Sequence, residues 1–308
     1  MFFQRKTLWL PKDLGHDNEY QDAYALDARG GIAAIADGVS SSMFARRWAQ
    51  ILTRAIVEGN DGENPGEVLD PREPEQLSAW LTARREAWTE TIDEATLAWH
   101  QKTKLRDGAF STLLWMSLSP ADEAEAYHLT AHSIGDCLLL HLRDDKLLAS
   151  FPFDSADQFN QETPALRSIN PAGDPPPPIE TFQTDCQVGD LLVLCSDAFG
   201  ALALAQQESG SPLDWHALWQ QSPEDWSSEI QSLRDDGQIR FDDTTLVMLK
   251  LLDHAACADG IECHPPLRAA GNADVSTDAV ADEAEEEVDD PSDEEPFDEE
   301  QNESDRDA

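Results

Sequence analysis

The sequence predicts an α+β protein in which antiparallel sheets are covered by helices. Strand-like apolar runs cluster with short polar breaks between them, and helical patterns form clusters of their own. No Gly-rich phosphate loop opens a strand-helix-strand unit, which argues against a nucleotide-binding parallel sheet. At 308 residues and 40% apolar composition, the chain can bury a core without disulfide staples.

After a polar start, Ala23-Tyr24-Ala25-Leu26 and the run Gly31 to Ala36 read as adjacent strands. The turn-like Asp27-Ala28-Arg29-Gly30 separates them. Ser40-Ser41-Ser42 offers N-caps for a helix from Met43 to Val57, with Phe44, Trp48, Ile51, Leu52 and Ile56 on one face. The polar, Gly- and Pro-containing stretch Glu58 to Pro74 ends it. A second long helix is predicted over Glu75 to Lys102. Its stripe of Leu77, Trp80, Leu81, Trp88, Ile92, Ala95 and Trp99 is read as core.

From Phe110 the period changes. Leu113 to Leu118, Ala126 to Thr130, Leu138 to Leu142 and Leu147 to Phe151 form an antiparallel meander. Asp154 to Ile179, with Pro175-Pro176-Pro177-Pro178, is an irregular surface excursion of local polyproline geometry. Strands return at Glu180 to Thr184 and Leu191 to Cys195. Helices follow near Gly200 to Gln206, Leu213 to Gln220 and Pro223 to Leu233, and the last strand runs from Thr245 to Leu252.

The formal net charge is -41, and from Asp274 onward roughly half the residues are Asp or Glu. Such a segment cannot bury enough apolar surface to offset its ordering entropy, so it reads as disordered. The body is acidic as well, which disfavours nucleic acid and anionic membrane as partners and favours basic ones. Cys137, Cys186, Cys195, Cys257 and Cys263 are odd in number and show no Cys-x-x-Cys pair, which fits a reducing compartment. The N-terminus lacks the apolar core of a signal peptide and no stretch reaches membrane-spanning length, so a cytoplasmic protein is expected.

Four acidic motifs carry the chemistry: Gln21-Asp22, Asp37-Gly38, Asp197 in Leu194-Cys195-Ser196-Asp197-Ala198, and Asp242-Asp243-Thr244-Thr245. Asp37, Asp197 and Asp242 each adjoin an apolar run. A carboxylate at the tip of a buried strand costs several kcal/mol of desolvation unless a positive charge meets it, so repeated placements point to a shared hard cation. Ligation by oxygen alone suits Mg2+ or Mn2+ over zinc or copper.

In order, Asn18-Glu19-Tyr20-Gln21-Asp22-Ala23-Tyr24, Ile35-Ala36-Asp37-Gly38-Val39-Ser40-Ser41, Gly108-Ala109-Phe110-Ser111-Thr112, Ile134-Gly135-Asp136, Cys195-Ser196-Asp197 and Asp242-Asp243-Thr244-Thr245 together resemble the metal-dependent protein phosphatase family, type 2C. The resemblance implies a four-layer α-β-β-α sandwich with two central antiparallel sheets. It also implies a binuclear Mn2+ or Mg2+ site at one end and a bridging hydroxide that hydrolyses serine/threonine phosphomonoesters. Asp37 would bridge both metals, the Gly38 carbonyl would bind one, and Asp197 and Asp242 would bind the other. Asp22 would hold coordinated water, and Asp136 with Asp197 would take a weaker third metal. On this reading residues 1–265 form the catalytic domain and 266–308 the acidic tail, in a monomer acting on phosphoproteins, with a basic partner for the tail.

Three departures from the family pattern matter. Many members carry a phosphate-clamping arginine before the first motif, where this chain reads Gly15-His16-Asp17-Asn18; His16, Lys12, Arg5 and Arg46 are the candidate substitutes. Ala198 replaces the glycine usual after the third acidic residue and demands negative φ more strictly, so the loop is expected to differ. Val39 stands where some relatives have a histidine. Losing the clamp and the glycine supports an alternative, a pseudo-phosphatase acting as a binding module. Among the remaining candidates, Asp243 reads as a turn residue, His128 and His132 as core or edge histidines sharing a strand face, and His100 as solvent-facing.

Overall fold

The computed structural model describes residues 3–15, 19–58, 74–121, 126–170, 173–252 and 261–264. The predicted tail, His16 and most of the polar stretch after the first helix lie outside the described residues. The strands are β1 (Phe3–Leu10), β2 (Ala23–Asp27), β3 (Ile32–Ala36), β4 (Phe110–Ser111), β5 (Leu113–Pro120), β6 (Ala126–Ile134), β7 (Leu138–Arg143), β8 (Lys146–Phe151), β9 (Leu166–Arg167), β10 (Glu180–Gln187), β11 (Leu191–Cys195), β12 (Thr244–Leu251) and β13 (Ile261–His264). The helices are α1 (Ala45–Glu58), α2 (Pro74–Glu90), α3 (Trp99–Leu105), α4 (Asp197–Glu208), α5 (Trp215–Gln220) and α6 (Pro223–Asp235), with a 3-10 turn at Ala156–Asn160.

Two large sheets, β1-β12-β11-β7-β8 and β10-β6-β5-β3-β2-β13, are antiparallel throughout, and β4 and β9 make a small third one. The period of two along each strand explains the layering. On β12, Val247, Leu249 and Leu251 join a core between the sheets, while Leu246 and Met248 face α4 and α6. On β5, Leu114, Met116 and Leu118 point to the same central core, and Leu113 and Trp115 pack under α1 and α2. Because both faces of these strands are covered, they read as continuous apolar runs rather than alternating ones. Three apolar clusters thus fill the three interfaces of the four-layer sandwich expected from the sequence.

Several expectations need correction. The polar start is β1, an edge strand whose Lys6 Nζ donates to the carbonyls of Trp219 and Gln221 at the end of α5. Its charged residues hid it, and they are the kind that protect a sheet edge. The predicted helix over 75–102 is two helices. Between them, Thr91 and Thr96 donate back to the carbonyls of Trp88 and Asp93, and Asp93 accepts from the Ala95 amide, local bonds that compete with the helical ladder. Trp80 and Trp88 are core as expected, but Trp99, past the break, is 80% exposed. Ser42 does not cap α1; its hydroxyl donates to the Val39 carbonyl and accepts from the Phe110 amide, and the helix starts after Phe44 in the left-handed region.

Away from the acidic motifs, Asp190 closes the opposite end of the sandwich. Its oxygens accept from His141 Nε2 (2.8 Å), Arg143 Nε and Nη2 (2.7 and 2.8 Å) and the Gln187 amide (2.9 Å). Cys186 lies near enough to complete a possible metal triad with His141 and Asp190, but both carboxylate oxygens are already occupied and burial pushes the thiol up to about 12. The cluster is therefore a latch. None of the described helices is long and apolar enough to cross a membrane.

Although burial alone would raise the Asp190 pKa, its bonds to Arg143 and His141 outweigh that and hold it well below the usual carboxylate range. Replacing it by Asn removes one charge and leaves its partners short of acceptors. Asp190→Asn is expected to lower the stability measured by urea unfolding at pH 7 by roughly 2–4 kcal/mol. A loss below about 0.5 kcal/mol would show that the latch carries no net stability.

Candidate metal centre

The registers bring the acidic motifs to one end of the sandwich. Ala23 pairs with Ala36, so Asp22 before β2 lies beside Asp37 after β3. Cys195 is flanked by Leu138 and Leu246, which places Asp136, Asp197 and Asp242-Asp243 around the same end of the other sheet. Asp37 is within electrostatic reach of Asp22, Asp197, Asp242 and Asp136 at once.

Asp37 is held by its backbone. Its amide donates to Thr112 Oγ1 (3.0 Å), and its carbonyl accepts from the Thr112 amide (2.9 Å) and Ser111 Oγ (2.9 Å). This explains the Phe110-Ser111-Thr112 motif, which supplies no carboxylate of its own. Thr112 also lies 3.2 Å from the Cys137 thiol, beside Asp136. Gly38 is required by close approach: an added Cβ would meet the Ala45 backbone and the Gln21 carbonyl at 2.9 Å. Gly135 turns the chain with φ +104 ahead of Asp136, whose Oδ2 accepts from Thr163 Oγ1 (3.1 Å).

Asp197 opens α4 rather than ending a strand. Ser196 is the N-cap, and the helix starts three residues before the predicted Gly200. Ala198 sits in the first helical turn, away from positive φ, so alanine fits without the glycine seen in relatives. Asp22 is fully buried, and its Oδ2 accepts from Thr245 in a chain that continues to the Tyr20 hydroxyl. Asp243 acts as the predicted turn residue, accepting from the Lys12 amide (2.8 Å) and the Gln21 amide (2.7 Å) and so tying three segments together. Buried Arg234 fixes the same loops through the carbonyls of Leu10, Pro11, Lys12 and Asp242 and the hydroxyl of Thr244.

Crowding has an electrostatic cost. Burial first, then neighbouring carboxylates, raise Asp22 and Asp37 well above the ordinary value, and Asp197 is pushed to about 6 against the pull of Arg240. Asp22 Oδ1 and Asp197 Oδ1 are buried with no hydrogen-bond partner. Orphaned oxygens in a cluster of carboxylates fit Mg2+ or Mn2+, and burial together with Asp37 raises the neighbouring Cys137 thiol, which disfavours its thiolate form.

The sequence reading missed Arg240. Its Nη1 donates to Asp197 Oδ2 (2.9 Å) and its Nη2 to the Phe159 carbonyl (2.7 Å) and Asn160 Oδ1 (3.1 Å). Its place two residues before Asp242 was the available signal. Of the substitutes considered, Lys12 donates to Ser40 Oγ (3.0 Å) at the rim. His132 is buried, contacting Thr181 and the ring of Trp115, whereas His128 is exposed and pairs with Asp185. His100 is exposed.

A four-layer sandwich with a carboxylate cluster at one end is the arrangement of a metal-dependent protein phosphatase. Residues 14–233 match the family profile described as Protein phosphatase 2C. The chain belongs to that family and is a protein-serine/threonine phosphatase. The matched span stops short of Arg240 and Asp242, which the fold brings back to the cluster.

Among solved structures, the catalytic domain of the serine/threonine phosphatase PstP in complex with two manganese ions is 19% identical. The similarity covers 82% of this chain and 99% of that one, with a TM-score of 0.51. A bacterial serine phosphatase is 11% identical over 82% of this chain and 100% of that one, also at 0.51. PstP/Ppp of Mycobacterium tuberculosis is 19% identical over 82% and 100%, at 0.47. The two likenesses at 0.51 show the fold. No curated protein matches the chain by sequence.

Protons compete with cations for these carboxylates. Because their folded-state pKa values are raised, the cluster costs the metal-free protein stability as pH rises above the ordinary carboxylate value of about 4, with Asp197 contributing up to about 6. A bound divalent ion offsets that loss. Mn2+ is therefore expected to raise Tm more at pH 7.5 than at pH 5, with protons released on binding in calorimetry. A Tm indifferent to Mn2+ at pH 7.5 would contradict the charge assignment.

Proposed function

We propose that the cleft binds two Mn2+ or Mg2+ ions and hydrolyses phosphomonoesters on serine/threonine phosphoproteins. The observation supporting this most strongly is the pair of buried, partnerless oxygens, Asp22 Oδ1 and Asp197 Oδ1, in a cluster of mutually repelling carboxylates. Asp37 is assigned to both ions, the Gly38 carbonyl to one, and Asp197 and Asp242 to the other. Asp22 holds water beside them, and Asp136 with Asp197 takes a weaker third ion.

When bound, the ions supply a water of lowered pKa as nucleophile and offset charge on the phosphoryl oxygens. Within the chain, Thr112 and Ser111 fix the backbone of Asp37, so its carboxylate meets the cations without reorganising. Thr245, itself bonded to Tyr20, fixes Asp22 Oδ2 and leaves Oδ1 without a protein partner. No side-chain nucleophile is needed. We read 1–265 as the catalytic domain and 266–308 as an acidic tail suited to a basic partner, in a monomeric cytoplasmic enzyme that binds neither nucleic acid nor membrane.

Hydrolysis of p-nitrophenyl phosphate by the purified protein is expected to require Mn2+ or Mg2+. Asp37→Asn and Asp242→Asn should each lower kcat/KM at least about 100-fold, more than the loss of an orienting residue outside the ligand set. Absent metal-dependent hydrolysis in the wild type would favour the binding-module alternative, and activity surviving both substitutions would remove these ligands.

A further inference from the structure

We propose that Arg240 is the phosphate-gripping residue of this cleft, pairing with Asp197 while the cluster lacks cations and with a phosphoryl oxygen of the substrate once cations take the carboxylates. The inference rests on the functional reading above and adds the residue that recognises the phosphate.

A phosphate dianion approaching Asp22, Asp37, Asp136, Asp197 and Asp242 meets repulsion unless the protein contributes a cation beside the metal ligands. Arg240 acts electrostatically on both Asp197 and Asp136. Two other described cations near the cluster, Arg234 and Lys12, have other partners. Arg234 is buried and its contacts are backbone carbonyls and the Thr244 hydroxyl, while the effect of Lys12 falls on Asp243, which faces the turn.

The guanidinium is also held ready. Nη2 is fixed by the Phe159 carbonyl and Asn160 Oδ1, and the Phe159 ring centroid lies 6.0 Å from its centre. Nη1 reaches Asp197 Oδ2, leaving the Nε–H and the second Nη1–H without a protein acceptor among the described residues. The side chain keeps 36% of its surface exposed, enough for a solute to reach it. A planar donor anchored at one end, partly exposed and with spare N–H groups beside Asp197, suits phosphate oxygens better than a lone ammonium. A purely structural brace between Asp197 and the 156–160 turn would need neither the exposure nor the spare donors.

The test separates cation binding from phosphate binding. Mn2+ affinity of wild type, Arg240→Ala and Arg240→Lys is measured by calorimetry, and inorganic phosphate is then titrated into each Mn2+-loaded protein. KM and kcat on p-nitrophenyl phosphate are taken alongside. Arg240→Ala is expected to bind Mn2+ as tightly as wild type or more tightly, since a competing cation is gone. Its phosphate affinity should fall about 10-fold or more, with KM rising in parallel, and Arg240→Lys should recover part of both.

Phosphate affinity within twofold of wild type, with Mn2+ binding intact, would overturn the assignment. So would a loss of Mn2+ affinity in Arg240→Ala, which would make the residue a positioning residue for Asp197. Should Arg240→Ala fail to fold, Arg240→Lys answers the question through the same titration: unchanged phosphate affinity overturns the assignment, and weakened affinity with Mn2+ binding retained supports it. A wild type that binds Mn2+ and phosphate without hydrolysis overturns the enzymatic reading but leaves the Arg240 titration decisive.

Discussion

The repulsion among the carboxylates gathered at one end of the sandwich is the constraint on which the rest of the structure depends. No single strand could hold Asp22, Asp37, Asp136, Asp197 and Asp242 together, because each raises the cost of ionising its neighbours. The chain meets that cost with rigidity. Asp22 and Asp37 adjoin strand ends, Asp136 and Asp242 lie in the short segments between elements, and Asp197 opens α4, all against strands packed into the apolar clusters, so the sheets cannot shift to relieve the crowding without giving up core contacts.

Around that cluster the polar groups are arranged to fix backbone rather than to neutralise charge. Thr112 and Ser111 bind the main chain of Asp37, Arg234 gathers the carbonyls of the Leu10–Lys12 segment and of Asp242, and Asp243 takes the amides of Lys12 and Gln21. The carboxylates themselves remain under-partnered. The Asp190 latch at the other end shows the opposite arrangement, a buried carboxylate with donors on both oxygens. The contrast is between a buried aspartate with donors on both oxygens and two, Asp22 and Asp197, each with one oxygen lacking a protein donor.

Much of the fold was legible in the sequence because strands buried on both faces leave unbroken apolar runs, and the turns between them carry Gly and Asp. The same runs pointed at Asp37, Asp197 and Asp242. What escaped notice was encoded through space. β1 alternates weakly because Lys6 reaches over to α5, and the break after Glu90 depends on side-chain bonds to local carbonyls that apolar periodicity ignores. Arg240 lies 43 residues from Asp197, and only its place two residues before Asp242 hinted that the two meet. Ala198 departs from the motif in sequence, but the backbone there is helical, so no loop difference follows from it.

Diffraction from Mn2+-soaked crystals, with the anomalous signal of the metal located independently of the coordinates, tests the central claim most directly. Two anomalous peaks roughly 3.5–4 Å apart, with the Asp37 carboxylate between them and Asp197 and Asp242 on one, are the predicted result. A cluster without peaks, or Mn2+ found only beside His141, Cys186 and Asp190, would contradict it.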